Sequence, residues 1–101
     1  MGSFILTRKA VSDLSDIWNY TYDNWSEDQA DKYYKLLTDN FQKIAEDPEI
    51  GKRYKTIADN LFGLKAGKHI IFYRKLPSEK QIEITRILHE SMDLKSRIKE
   101  L

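Results

Sequence analysis

Two amphipathic segments joined by only two or three residues constrain the fold of this chain more than any other feature. After Thr7, apolar residues recur every three or four positions, at Val11, Leu14, Trp18, Tyr22 and Trp25, and Ala10 and Ile17 widen this stripe. A cleaner second stripe comprises Ala30, Tyr33, Tyr34, Leu37, Phe41, Ile44 and Ala45. The short joint predicts that the two helices fold back as an antiparallel hairpin. Each helix has one apolar face, so the rest of the chain must supply a common surface for them to cover.

The ends of both helices carry recognisable signals. Thr7 is predicted to cap the first helix, which stops near Asn24. The sequence from Ser26 to Gln29 matches a capping box and opens the second helix. Pro48 and Gly51 end it, because neither residue continues a helix comfortably.

The second half of the chain has the composition of a β-sheet. Two strong strands are predicted at Lys68–Leu76 and Gln81–His89, with Pro77–Lys80 as the turn between them. The weaker candidates are the short run Phe4–Leu6 and the segments Arg53–Ile57 and Asn60–Ala66, and residues 92–101 predict a short terminal helix. The resulting order, β-α-α-β-β-β, predicts one α+β domain over residues 1–101, with a small, mostly antiparallel sheet packed against the N-terminal helical hairpin.

Strand alternation in the last strand gives a more detailed prediction. With a period of two, Ile82, Ile84, Arg86 and Leu88 share one face, while Glu83, Thr85, Ile87 and His89 share the other. Arg86 would then lie on an apolar face. There its charge is either hidden in an ion pair or presented for a functional contact. Because guanidinium stays protonated, we expect Arg86 to act in structure or target contact rather than in acid–base catalysis.

Charge is distributed unevenly along the chain. Residues 1–50 hold 5 Lys/Arg and 10 Asp/Glu, a balance of −5, whereas residues 51–101 hold 12 and 6, a balance of +6. The basic half is suited to an acidic partner, although these charges can equally serve only to solvate two surfaces. The overall charge of +1 is too small to favour a dedicated, sequence-specific nucleic-acid binder. The absence of cysteine and of a long apolar run favours a soluble protein of the reducing cytoplasm, without a membrane.

Few residue patterns point to catalysis. The two histidines, His69 and His89, lack neighbouring ligands at metal-binding spacing, so neither a metal nor a cofactor is expected. Ribonuclease chemistry would need clustered basic and acid–base groups, and Arg74, Arg86 and His89 are the candidates if the last two strands pair. The alternative is that both arginine stems pack on the sheet and pair with carboxylates.

Several segments, taken in order, resemble the ParE branch of the RelE/ParE toxins of bacterial toxin–antitoxin pairs. They are LTRKAVSDLSDIWNYT, WSEDQA, AEDPEIG and the closing HIIFYR and ITRILHESMD, and together they span about Phe4 to Leu94. The resemblance implies the β-α-α-β-β-β fold, a cytoplasmic toxin that inhibits DNA gyrase by binding, and a cognate antitoxin whose disordered segment folds on contact. Ser91 departs from many ParE-like sequences, which often carry an arginine before Met-Asp.

Two functional classes remain open from the sequence, together with a third option. One is a non-enzymatic gyrase inhibitor, with Trp25, Arg74, Arg86, His89, Met92 and Asp93 as residues that bind target or partner. The other is a RelE-like, ribosome-dependent mRNA endoribonuclease. A degenerate toxin that only binds its antitoxin is the third.

Two segments carry competing expectations. Trp25 either anchors a partner or forms a hydrophobic staple against Ala30. The basic tail from Met92 onward has a narrow apolar stripe, Leu94 and Ile98, so we expect it to dock marginally and to matter more for toxicity than for folding. Alternatively, it covers the open face of the sheet.

Overall fold

The computed structural model describes residues 2–77 and 81–98. Its elements, in chain order, are β1 (Ser3–Leu6), α1 (Arg8–Asn24), α2 (Glu27–Glu46), β2 (Lys52–Arg53), β3 (Phe62–Ala66), β4 (His69–Lys75), β5 (Gln81–His89) and α3 (Leu94–Ile98). The predicted α+β class and element order are confirmed. The turn predicted at Pro77–Lys80 and the end of the predicted terminal helix fall largely outside the described residues.

Both predicted helix caps are present. The Thr7 hydroxyl accepts a hydrogen bond from the Ala10 backbone N–H at 3.0 Å, and the Ser26 hydroxyl accepts one from the Gln29 N–H at 3.1 Å. These bonds satisfy N–H groups that have no partner within the helix. With α1 ending at Asn24 and α2 starting at Glu27, the helices form the predicted hairpin.

The five strands form one sheet in the order β1-β5-β4-β3-β2. β1 pairs with β5 in parallel, and the other pairs are antiparallel, as predicted. The prediction of a strand from Arg53 to Ile57 is wrong beyond Arg53. The N–H groups of Ile57 and Ala58 both donate to the Tyr54 carbonyl, so this segment turns instead of extending.

A β-bulge in β5 corrects the predicted face assignment of that strand. Tyr73 pairs with Ile84, but its neighbour Phe72 pairs with Arg86, so Thr85 is the additional residue. The Thr85 hydroxyl donates to the Phe72 carbonyl at 3.2 Å, which satisfies this buried polar group. Side chains before and after the bulge therefore do not follow a single alternation.

Two apolar clusters lie on opposite faces of the sheet. The larger one lies between the sheet and the helical hairpin and contains Ile71, Tyr73, Ile82, Ile84 and Ile87. The smaller one contains Leu61, Ile70, Phe72, Leu88 and Ile98. Ile84 and Leu88, predicted to share a face, thus belong to different clusters because of the bulge.

The apolar face predicted for α1 is wrong in part, whereas the apolar face predicted for α2 is mostly right. Ala10, Leu14 and Ile17 pack toward the sheet, but Val11, Tyr22 and Trp25 are exposed. In α2, the residues buried in the core are Ala30, Leu37, Phe41, Ile44 and Ala45, and Tyr34 is exposed. Several aromatic side chains of α1 are therefore available to solvent or to a partner.

The second face of the sheet is covered by α3 and by the segment between β2 and β3. Ile98 is only 3% exposed and belongs to the smaller cluster, with Leu94 packed beside it. The expectation of marginal docking is therefore wrong at Ile98, and the alternative that this segment covers the sheet is the one observed. Among the described residues, no helix combines the length and the hydropathy needed to cross a membrane.

Candidate functional site

An open groove of about 820 Å³ lies where the helical hairpin meets one end of the sheet. One wall is α1, with Asp16, Ile17, Tyr20, Thr21 and Trp25. The opposite side combines Gln29 and Tyr33 of α2, Lys68 and His69 at the β3–β4 turn, and His89, Ser91 and Met92 at the end of β5. The lining is mainly apolar, and we call this site the hairpin groove. Its size falls within the usual range of ligand-binding clefts.

Large side chains at the hairpin groove are unusually exposed. Trp25 is 75% and Tyr20 65% exposed, and Met92 is also open to solvent. The Trp25 backbone N–H donates to the Thr21 carbonyl at the C-terminal end of α1, so Trp25 lies in the joint between the two helices. Ala30, in contrast, is fully buried. The high exposure of Trp25 is what the anchor interpretation expects, since a staple would bury more of the indole.

Two histidines form the polar floor of the hairpin groove. His69 and His89 pair directly across β4 and β5, and their rings are T-shaped with centroids 5.2 Å apart. The Tyr33 hydroxyl lies 2.6 Å from His69 Nδ1 and accepts a hydrogen bond from the Lys68 backbone N–H at 2.9 Å. The same hydroxyl lies 3.4 Å from the Ala66 carbonyl. It therefore joins α2 to the β3–β4 turn and to the His69 ring in one hydrogen-bond network.

The hydrogen bonds of His89 determine which of its ring nitrogens carries the proton. The Ser91 backbone N–H donates to His89 Nδ1 at 3.1 Å, and the Ser91 hydroxyl lies 2.7 Å from the same nitrogen. Because Nδ1 acts as an acceptor, neutral His89 carries its proton on Nε2. The His89 ring thus offers an N–H donor at Nε2 rather than a free lone pair. This arrangement does not favour a metal bound to Nε2 of neutral His89.

Burial determines the charge state of the groove floor. It is the main cause of the lowering of the His69 pKa to about 4, and the neighbouring His89 lowers it further. Burial also raises the Tyr33 pKa. At neutral pH His69 is therefore uncharged and Tyr33 keeps its proton.

The β3–β4 turn brings Lys68 and His69 against α2. Gly67 has φ of +60°, and a two-residue hairpin loop with glycine at its first position is the pattern of a type II′ turn. A Cβ at Gly67 would lie 2.7 Å from both the Tyr33 ring and its hydroxyl. Glycine is therefore required here for both backbone conformation and space.

The structure places the two predicted arginines in ion pairs away from the hairpin groove. Arg86 is 8% exposed; its Nε lies 2.8 Å from Asp13 Oδ2 and its Nη2 3.0 Å from Asp13 Oδ1. Arg74 Nε donates to Glu83 at 2.8 Å, near the opposite end of β4 from His69. Arg74, Arg86 and His89 therefore do not form the cluster that ribonuclease chemistry would use. Arg86 is also buried rather than presented to a partner.

Of the remaining predicted residues, three line the hairpin groove and one does not. Trp25, His89 and Met92 line it. Asp93 instead accepts hydrogen bonds from the Ser96 backbone N–H at 3.4 Å and from the Ser96 hydroxyl at 2.8 Å, at the start of α3.

Sequence reasoning missed Tyr20, Tyr33, Lys68 and His69 as groove residues. Tyr33 was assigned to the apolar stripe of α2, and His69 was considered only as a metal ligand without suitable neighbours. Direct pairing of His69 with His89 depends on the extra residue at the bulge, which shifts the register by one position. In the sequence, only the glycine at position 67, before Lys68 and His69, indicates a tight turn that another part of the chain approaches closely.

Comparison with known proteins identifies relatives along nearly the whole chain. A family model described as the ParE toxin of the type II toxin–antitoxin system parDE matches residues 4–94. Toxin ParE1 of Mycobacterium tuberculosis is 36% identical over 91 residues, covering 90% of this chain and 92% of that protein. Toxin ParE1 of Caulobacter vibrioides is 33% identical over 98 residues, covering 97% of this chain and 99% of that protein.

A solved structure supports the same fold. A chain from the chromosomal ParDE toxin–antitoxin system of P. aeruginosa aligns with a TM-score of 0.74, covering 88% of this chain and 96% of that one. The sequence identity is 21%, so this likeness concerns the fold alone.

Proposed function

The chain belongs to the ParE toxin family and is a toxin of a parDE type II toxin–antitoxin system, and we propose that it inhibits DNA gyrase by binding. We further propose that it acts in the bacterial cytoplasm without catalysing a reaction, and that a cognate antitoxin neutralises it. Both proposals extend the family membership to a target and a partner.

The observation that carries this proposal is the family match over residues 4–94. Within the wider superfamily, resemblance to the ParE branch implies gyrase as the target, whereas the RelE branch implies mRNA cleavage. The positions of the two arginines add physical support. The guanidinium of Arg86 pairs with Asp13 and that of Arg74 with Glu83, so both cations contribute to holding the fold.

The exposed groove residues support a function based on binding. Trp25, Tyr20 and Met92 expose apolar surface around a concave site, and aromatic residues of this kind commonly dominate binding energy at protein interfaces. A binding inhibitor needs such a surface, whereas it needs no reactive group.

A second candidate, a ribosome-dependent endoribonuclease, is favoured by one observation. His69, His89 and Tyr33 lie together at the hairpin groove, and imidazole and phenol groups serve as general acids and bases. Its acid–base residues would then differ from the arginine set predicted from the sequence. The low pKa of His69 makes that residue a poor general acid at neutral pH.

Induction of the toxin in a bacterial host tests these alternatives. Gyrase inhibition predicts double-stranded DNA breaks and an SOS response while mRNA remains intact. Ribosome-dependent cleavage predicts codon-biased mRNA cuts, mapped as new 5′ ends, before any DNA damage. Growth arrest should disappear when the cognate antitoxin is co-expressed. A protein that binds the antitoxin but produces neither type of damage would be a degenerate toxin, contrary to the proposal.

A further inference from the structure

We propose that a cleft on an exposed face of the helical hairpin contacts DNA gyrase and receives an arginine side chain of that target. This inference rests on the proposed function, because gyrase is the target named there. It adds the surface of contact and the chemical group that this surface recognises.

The cleft lies between the two helices and is separate from the hairpin groove. It is lined by Ser15, Trp18 and Asn19 of α1 and by Asp31 and Tyr34 of α2, and its volume is about 440 Å³. None of these residues lines the hairpin groove. We call this second site the interhelix cleft. It combines two aromatic side chains with one carboxylate, which is the composition of a site for an organic cation.

A hydrogen bond between the helices orients the carboxylate of the interhelix cleft. The Trp18 indole N–H donates to Asp31 Oδ1 at 3.0 Å. The Trp18 ring also stacks on Tyr22, with centroids 5.2 Å apart and an angle of 19° between the ring planes. An ionised carboxylate accepts several hydrogen bonds through its two oxygens, so Asp31 can also accept from a ligand. The cleft therefore presents an oriented acceptor beside an aromatic ring.

Asp31 supplies a negative charge that is not already paired within the described part of the chain. No ion pair among the described residues includes it, whereas Asp39 on the same helix is paired with Lys35 at 2.8 Å. The two helices together hold 5 Lys/Arg and 8 Asp/Glu, a balance of −3. This face of the toxin is therefore suited to a cationic partner, whereas the basic second half of the chain is suited to an acidic one.

The lining of the interhelix cleft favours arginine over lysine. A guanidinium group is planar, stacks on aromatic rings and carries five N–H donors, whereas a lysine ammonium is a compact charge. Trp18 and Tyr34 supply the rings. Oxygens that accept hydrogen bonds come from Asp31, Ser15 and Asn19. An arginine of gyrase can thus stack and donate at the same time, and its bond to the carboxylate is assisted by charge.

The charge of Asp31 can be removed while its bond to Trp18 is kept. In Asp31→Asn the side-chain oxygen still accepts the indole N–H, but the negative charge is lost. Asp39→Asn is the matched control, because Asp39 lies on the same helix and does not line the interhelix cleft. Binding of each purified toxin to purified gyrase is measured by surface plasmon resonance, after circular dichroism has verified folding. We expect Asp31→Asn to weaken gyrase binding about five- to tenfold at low salt, and Asp39→Asn to leave it unchanged.

A titration with small cations tests the chemistry of the interhelix cleft without gyrase. Arginine amide and lysine amide carry the same charge and differ in the planar guanidinium group. The indole N–H resonance of Trp18 in an NMR spectrum reports on the cleft. The resonance of Trp25 is the internal control, because Trp25 lines the hairpin groove instead. We expect arginine amide to shift the Trp18 resonance more than lysine amide does, and Asp31→Asn to abolish the shift.

The outcomes separate this inference from the proposed function. If the wild-type toxin does not bind gyrase, the proposed target is wrong and this inference is wrong with it. If the wild-type toxin binds gyrase and Asp31→Asn binds equally well, only the contact site is wrong, even if arginine amide binds the cleft as a free cation. Equal losses from Asp31→Asn and Asp39→Asn would indicate general electrostatic attraction and contradict the site. Equal shifts of Trp18 by the two amides would overturn the preference for arginine.

Discussion

Arg86 on β5 and Asp13 on α1 form a bidentate ion pair that joins three parts of the molecule. Asp13 Oδ2 also accepts the Ile87 backbone N–H at 3.0 Å, and Arg86 Nη1 lies 3.3 Å from the Arg97 carbonyl of α3. The pair thus connects the first helix, the bulged strand and the C-terminal helix. Its two charges satisfy backbone groups as well as each other, which is what a largely buried ion pair needs to be tolerated.

Replacing Arg86 should therefore affect stability more than target contact. Arg86→Ala leaves Asp13 without its bidentate partner and should lower the free energy of unfolding by about 3–5 kcal/mol. Arg86→Lys keeps the charge but loses the planar fork, and should cost about 1–3 kcal/mol. Urea denaturation measures both. The exposed Arg74→Ala serves as the control, with an expected loss of at most about 1 kcal/mol. Wild-type stability in Arg86→Lys would exclude a bidentate role.

Trp25 should contribute to binding with little effect on folding. Its side chain is 75% exposed, so Trp25→Ala should change the melting temperature by only a few degrees. Binding of antitoxin should weaken by about tenfold or more. Tyr22→Ala is the matched control, because Tyr22 lies on α1, is 49% exposed and does not line the hairpin groove. A large drop in melting temperature with unchanged binding of the folded fraction would favour a structural role for Trp25.

Acidification should destabilise the protein through His69. Its pKa is about 4 when folded and about 6.5 when unfolded, so the unfolded chain binds the proton more readily as pH falls through this interval. Stability due to neutral His69 is thus present above about pH 6.5 and lost toward pH 4. Between pH 7 and pH 5 the loss should be at most about 2 kcal/mol, because solvent screens this partly exposed ring.

The variant His69→Asn tests this contribution, because its side-chain oxygen can still accept a hydrogen bond but does not titrate. Denaturation at pH 7 and pH 5 should show a smaller pH-dependent loss for the variant than for the wild type. Equal losses would assign the acid sensitivity to other groups.

Ile98 should be important for folding. It is buried in the smaller cluster with Phe72 and Leu88, so Ile98→Ala should cost about 2–5 kcal/mol. Arg97→Ala keeps the carbonyl near Arg86 and removes only an exposed side chain, so its effect should stay within about 0.5 kcal/mol. Chemical denaturation compares the two variants. If Ile98→Ala kept wild-type stability and lost toxicity, the result would favour the prediction that the tail from Met92 onward matters more for toxicity than for folding.

The sequence was sufficient to predict the fold because its local signals agree. Thr7 and Ser26 cap their helices as predicted, and the strong strand beginning near Gln81 was placed correctly. The stripe of α1 was partly misassigned, since periodicity alone does not distinguish Val11 and Tyr22 from residues that face the sheet. Their exposure depends on how the hairpin is rotated against the sheet, which is a tertiary property.

The candidate site could be predicted only in part. Trp25, His89 and Met92 line one groove, but Arg74 and Arg86 do not, because the Thr85 bulge and the partners Glu83 and Asp13 determine where the arginines lie. The pairing of His69 with His89 likewise depends on a one-residue register shift. A bulge has no reliable signal in a single strand sequence.

The most direct test of the central proposal is a supercoiling assay with purified DNA gyrase, relaxed plasmid, ATP and the purified toxin. We expect DNA supercoiling by gyrase to be inhibited as toxin is added. An equimolar amount of antitoxin should restore the supercoiling activity of gyrase. The Arg74→Ala toxin should inhibit gyrase like the wild-type toxin if the Arg74–Glu83 ion pair serves only the fold. Full supercoiling at a large molar excess of folded, antitoxin-binding toxin would contradict gyrase as the target.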